Sequence, residues 1–299
     1  MCSSDLDTAQ GFHKIAVVGC RGAGKTTLIK ALFFNRGISS LDLPTGGEST
    51  QVPTLVRLIP GYQGSPLVHA DMIKRSDFME AFHALLGEIS SVASLERPNF
   101  KHFSLVSFSS WVKEIALPAL KKSGTDLSRS LQQRLQEAPH ILKTLDPGYQ
   151  LPAIETVSMA LSAIKDLKAS YALRSVSLST TAKNMANPLQ IVDFPPMEGA
   201  NLVHRHFTDQ FLTQEADAVL VVIDSQKHSF HEQEHLLFQK ISALKQEEKI
   251  FFLFNKWYEG DRSGGEKAVR ELLTTYHFQA QNVFRISALP VLIDRKSVV

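Results

Sequence analysis

Apolar residues recur along this chain with two different periods. Residues 14–18 form a short apolar run with β-branched members that stops at Gly19, which predicts a buried strand. Residues 26–34 place Leu28, Ile29, Leu32 and Phe33 on one side, which predicts a helix. Residues 54–59 predict a second strand. From about 61 to 185 the spacing becomes helical. Phe78, Phe82, Leu85, Ile89 and Val92 form one stripe, and Leu127, Leu131 and Leu135 a second that Pro139 should interrupt. Ile154, Val157, Leu161, Ile164 and Tyr171 form a third, and Trp111 with Phe103, Leu105 and Phe108 reads as the core of this segment. Strands are then predicted at 189–192, 218–223, 250–254 and 283–286, with helices near 201–214, 229–246 and 264–276 between them. Continuous apolar strands separated by helices argue for a parallel sheet covered on both faces. The expected fold is α/β and three-layered, with a mostly parallel sheet formed by 13–60 and 186–293 and a helical insertion at 61–185.

Composition adds bounds. A chain of 299 residues, 43% hydrophobic and 21% charged, can bury a sizeable core. A net charge of +2 gives no argument for a nucleic-acid partner, and no nucleic acid is expected. No apolar run approaches the ~20 residues that span a bilayer. Two cysteines and no signal peptide place the chain in a reducing cytoplasm. The ends form a separate case. Asp294-Arg295-Lys296-Ser297 is encodable by GATCGGAAGAGC, and the reverse complement of that word encodes Cys2-Ser3-Ser4-Asp5 and begins Leu6. The word resembles a sequencing adapter. Residues 1–6 and 294–299 are therefore expected to be non-native tails on a truncated protein. A different codon choice at either end of the nucleotide record would exclude this.

The chemistry is concentrated at Gly19-Cys20-Arg21-Gly22-Ala23-Gly24-Lys25-Thr26, followed by Thr27. Strand, glycine loop and helix form the context of a phosphate-binding P-loop. Backbone N–H groups of such a loop surround phosphates, and the following helix directs its positive end at them. Lys25 would reach the β- and γ-phosphates, and Thr26 would ligate Mg2+. Asp193 ends an apolar strand, where an acid holds the metal, usually through water. Asn255-Lys256 and Ser287-Ala288 each follow a strand.

The order P-loop, Asp-x-Pro, Asn-Lys, Ser-Ala resembles the motifs of translation-factor-class GTPases, and within them the bacterial branch of the dynamin superfamily. The segment Pro44-Thr45-Gly46-Gly47-Glu48-Ser49-Thr50-Gln51-Val52-Pro53-Thr54-Leu55-Val56-Arg57 resembles that family's first switch. The resemblance implies a G domain that binds GTP with Mg2+ and hydrolyses it. Thr50 would bind the metal and position the attacking water, while Asn255, Lys256, Ser287 and Ala288 would contact the base. It further implies a homodimer through the G-domain face and membrane association of a longer protein.

Three positions depart from the pattern. Pro196 stands where a glycine N–H bonds the γ-phosphate, and Tyr258 where a carboxylate grips guanine. Arg21 and Gly22 stand where dynamins carry polar P-loop residues. Arg21 reads either as an arginine finger in cis or as a solvated cation. An ATPase, and a nucleotide-binding switch or scaffold with little hydrolysis, remain open alternatives. His231-Glu232-Gln233-Glu234-His235 also fits the H-E-x-x-H zinc pattern, although its helix is already needed by the α/β layer.

Overall fold

The computed structural model describes residues 11–34, 50–93, 105–123, 126–146, 148–182, 185–196, 200–226, 229–230, 232–244, 246–257 and 263–286. Both expected tails lie outside them.

The strands are β1 (His13–Val18), β2 (Thr54–Pro60), β3 (Leu67–Met72), β4 (Leu173–Ala182), β5 (Leu189–Asp193), β6 (Ala218–Asp224), β7 (Ile250–Asn255) and β8 (Val283–Arg285). Among the described residues they form one sheet in the order β3-β4-β2-β5-β1-β6-β7-β8. The β1–β5, β1–β6, β2–β4, β6–β7 and β7–β8 pairs are parallel, and β2–β5 and β3–β4 are antiparallel.

The helices are α1 (Lys25–Phe34), α2 (Arg75–Val92), α3 (Leu105–Trp111), α4 (Leu117–Ser123), α5 (Asp126–Thr144), α6 (Val157–Ala163), α7 (Leu167–Ser170), α8 (Leu202–Gln210), α9 (Glu232–Ala243) and α10 (Ser263–Thr275). A π-helical turn, Val112–Ala116, joins α3 to α4, and a second, Phe211–Glu215, extends α8.

Side chains on a strand point alternately to opposite faces, so one strand serves two cores. Ala16 and Val18 of β1 enter a core shared with α8, α9 and α10. Val17 enters the other, with Leu28 and Ile29 of α1. Val219, Val221 and Ile223 of β6 follow the first face and Val222 the second. The result is the three-layer α/β architecture expected from the sequence.

The segment 61–185 contains more than helices. β3 and β4 fall within it and complete one side of the sheet. Val176 and Leu178 of β4 are buried in the α1-side core, while Ser175, Ser177 and Ser179 alternate with them. Between these strands, α2–α5 enclose a third core in which Phe82 packs edge-on against Phe108 and Trp111. The anticipated break at Pro139 does not occur, and α5 runs through it. Leu131, Leu135, Ala138 and Ile141 are all fully buried on that helix. Burial of three large aliphatic side chains contributes about 1.5–3 kcal/mol each, which outweighs the ~3 kcal/mol a helical proline costs.

Candidate functional site

The carboxyl ends of β1, β5, β6 and β7 converge at one edge of the sheet, where an open α/β fold binds ligands. The glycine loop leaves β1 there. Gly19 has φ +150 and its missing side chain is required, because a Cβ would run into the carbonyl of Val222 on neighbouring β6. Gly24 has φ +90, and a Cβ there would collide with the side-chain amide of Asn255. That amide donates to the carbonyl of Ala23 at 3.0 Å. Asn255, expected at the base, therefore also braces the phosphate loop from β7.

Lys25 begins α1 and is buried. Its ammonium donates to the carbonyls of Gly19 at 2.9 Å and Cys20 at 3.3 Å, curling back over the loop. Cys20 and Ala23 are buried, Thr27 is half-buried, and Arg21 and Gly22 are exposed at the rim. Thr26 donates to Asp193 Oδ2 at 2.6 Å, and Thr50 donates to the same oxygen at 3.1 Å. The two hydroxyls lie 3.2 Å apart. Three residues distant in sequence thus meet at one point, within reach of the Lys25 charge.

Asp193 is 3% exposed. Burial pushes its carboxyl above the usual range, opposed by the Lys25 charge and by the hydrogen bonds from Thr26 and Thr50. Its Oδ1 is buried without a hydrogen-bond partner. A buried carboxylate oxygen without a hydrogen-bond partner, next to two hydroxyls, fits a hard divalent cation that takes oxygen ligands.

The following residues anchor the site. Phe194 donates its N–H to Val17 at 3.2 Å and packs edge-on against Phe207 and Phe211. Pro196 is buried, and its carbonyl accepts from the N–H of Ala200 at 3.1 Å. Lys256 adopts φ +61 and pairs with Asp224 at 2.6 Å. Asp224 was not singled out from the sequence. It lies opposite Asn255 in the β6–β7 register, so only strand pairing reveals it. Trp257 packs edge-on against Phe254 beneath Arg285, with α10 close behind it at Gly265. Its role here is packing. Tyr258, Ser287 and Ala288 lie outside the described residues.

The zinc pattern finds no support. His231 lies outside the described residues, and His235 is engaged by Tyr276 and lies 3.9 Å from Glu271. No cluster of three His, Cys, Asp or Glu able to hold a metal occurs among the described residues.

No protein-family model matches the sequence, and no curated protein matches it. Solved structures do resemble it. Two structures of an oligomerised bacterial dynamin pair, described as providing a mechanism for the long-range sensing and tethering of membranes, superpose with TM-scores of 0.50 and 0.51 at 13% identity. Each match covers 96% of this chain and 35% or 41% of the matched chain. The chain therefore spans well under half the length of those proteins. Among the described residues, no helix is long and apolar enough to cross a membrane.

Proposed function

We propose that this chain, which carries the fold of a dynamin-like G domain, binds GTP with Mg2+ and hydrolyses it by in-line attack of water on the γ-phosphate. The observation that carries this reading is the meeting of Thr26, Thr50 and Asp193 beside Lys25, with one carboxylate oxygen buried and unpaired.

Lys25 would exchange the carbonyls of Gly19 and Cys20 for β- and γ-phosphate oxygens. The backbone N–H groups of residues 20–26 would hold the remaining phosphate oxygens at the start of α1. Thr26 and Thr50 would hold Mg2+ directly and Asp193 through water, and the ion would neutralise charge on the transferring phosphoryl group. Thr50 would orient the attacking water. Arg21, exposed at the rim, would reach the outer phosphates as a finger in cis. Asn255 and Lys256 would define the base end with Ser287 and Ala288. Pairing through the nucleotide-bearing face, and membrane association of a longer protein, are carried over from the resemblance.

A titration of fluorescent GTP and ATP analogues with Mg2+ tests this. GTP should bind at least about tenfold more tightly, equivalent to ~1.4 kcal/mol. Lys25→Ala should abolish binding of both. Equal or tighter ATP binding would overturn the preference for GTP, and hydrolysis of ATP faster than in buffer would then establish the ATPase reading. Tight GTP binding with single-turnover hydrolysis no faster than in buffer would leave a switch without catalysis.

A further inference from the structure

The helix that follows Asp193 belongs to two cores at once. Leu202 and Val203 of α8 are buried in the core of the helical insertion. Phe207 and the adjoining Phe211 and Leu212 are buried in the core of the sheet. There Phe207 and Phe211 pack edge-on against Phe194, with ring centroids at 5.8 and 5.5 Å, and Phe194 is covalently next to Asp193. Asn201 caps α8 and its amide donates to the carbonyl of Ser170 at 2.7 Å. Any displacement of α8 is therefore felt at Phe194 and at the carboxylate beside it.

The contact between α8 and the insertion holds two buried guanidinium groups whose carboxylate partners are partly exposed. Arg134 of α5 makes two bonds to Glu88 of α2, at 3.1 and 2.6 Å. Arg205 of α8 donates to Ser130 of α5 at 3.2 Å. Arg134 repels it, and Glu88 and Asp209 attract it. Asp209 is paired with Lys240 of α9. Both arginines are more than nine-tenths buried, and the Nε of each lacks a hydrogen-bond partner. Arg134 also acts on the Glu137 carboxylate, and Glu88 feels both guanidinium groups. Removing one partner of a buried ion pair is costly because it leaves a charge uncompensated.

We propose that Glu88 is a positioning residue that acts through Arg134, Arg205 and α8 to set the geometry of Phe194 and Asp193, so that the helical insertion controls the divalent-cation requirement of the nucleotide site. This rests on the reading of that site as one for Mg2+-nucleotide. Removing the Glu88 charge leaves Arg134 and Arg205 without the carboxylate that acts on both, and the repulsion then falls on α8, which carries Arg205. The two sites are linked in equilibrium, so Mg2+-nucleotide must in turn tighten the insertion.

The test is the Mg2+ concentration that half-saturates binding of a fluorescent GTP analogue. Glu88→Gln should raise it about fivefold or more, the lower end of ordinary coupling between sites. Glu88→Gln with Arg205→Met removes the repulsion and should bring it back to within about twofold of wild type, which shows that the two residues are coupled. Ser130→Ala, which loosens only the tie between Arg205 and α5, should raise it about twofold. Leu272→Ala in α10 serves as the control, because it destabilises the sheet core without touching the cluster. It should lower the melting temperature and leave the Mg2+ requirement alone. If Glu88→Gln folds with an unchanged Mg2+ requirement, the proposal is overturned. If that variant does not fold, an unchanged requirement in Ser130→Ala overturns it instead. A wild-type protein that binds no nucleotide overturns both this proposal and the function it rests on, whereas normal wild-type binding with unmoved variants overturns this one alone.

Discussion

Asp193 is the residue whose chemistry is least comfortable without a ligand. Burial raises its pKa, so its ionised form works against the fold. A raised carboxyl contributes stability below its ordinary value of 3.8, and that contribution is lost as pH rises through the raised value. A cation bound beside the ionised carboxylate would offset this burial cost. Asp193→Asn should stabilise the ligand-free protein by ~1 kcal/mol while erasing the extra stabilisation by Mg2+-GTP. Thermal melts with and without Mg2+-GTP check both halves. A ligand-free variant less stable than wild type would sink the burial account. The residues of the phosphate end were legible in the sequence, because spacing alone places Gly19 to Thr26 in one loop. The bond from Asn255 to Ala23 and the pair Lys256–Asp224 were not, because they depend on which strands become neighbours.

Helix α5 shows packing overruling a local signal. Pro139 removes one N–H from the helix, yet the helix continues, because the apolar side chains on either side are fully buried. Pro139→Ala restores the missing donor and should stabilise the protein by about 1–2 kcal/mol, less than the full helix cost because proline also restricts the unfolded chain. The midpoint of urea unfolding reads this directly, and an unchanged or lower midpoint would mean that the proline ring packs well enough to offset its defect. The strands of the sheet centre were legible because they are continuous apolar runs. β4 was not, since its small hydroxyl residues dilute the apolar content and leave Val176 and Leu178 as isolated signals. β3 is a short edge strand whose partner is β4, so overlooking one concealed the other.

For the molecule as a whole, acid should be a stronger stress than its modest net charge suggests. His204 of α8 is fully buried, with Nε2 2.7 Å from the carbonyl of Leu173. Burial lowers its pKa from 6.5 to about 4, against the opposing pull of the backbone at Leu173 and Gln51. The contribution of a depressed histidine is complete above 6.5 and is lost as pH falls towards 4. Global stability should drop by about 3 kcal/mol over that window, and His204→Gln should flatten the slope. Urea unfolding between pH 4 and 7 measures it, and identical slopes in both proteins would rule out His204 as the cause. The change of period at residue 61 announced the helices of the segment but not that β3 and β4 inside it join the sheet. That one helix would belong to both cores was not readable either, since α8 presents the sequence of an ordinary amphipathic helix.

The position of β1 has a consequence for biosynthesis. It lies inside the sheet between β5 and β6, so His13 waits for Leu189 and Ile15 for Ala218. At ~5–20 residues per second, the ribosome needs roughly 10–40 seconds to deliver those partners. Throughout that interval Ile15, Ala16, Val17 and Val18 have no sheet to join. The helices between them are different, because most of their core comes from residues close together in the chain. The insertion can therefore condense while the nascent chain is still growing. The glycine loop, first to leave the tunnel among the site's parts, is among the last to take its shape, because it hangs from a strand that pairs late.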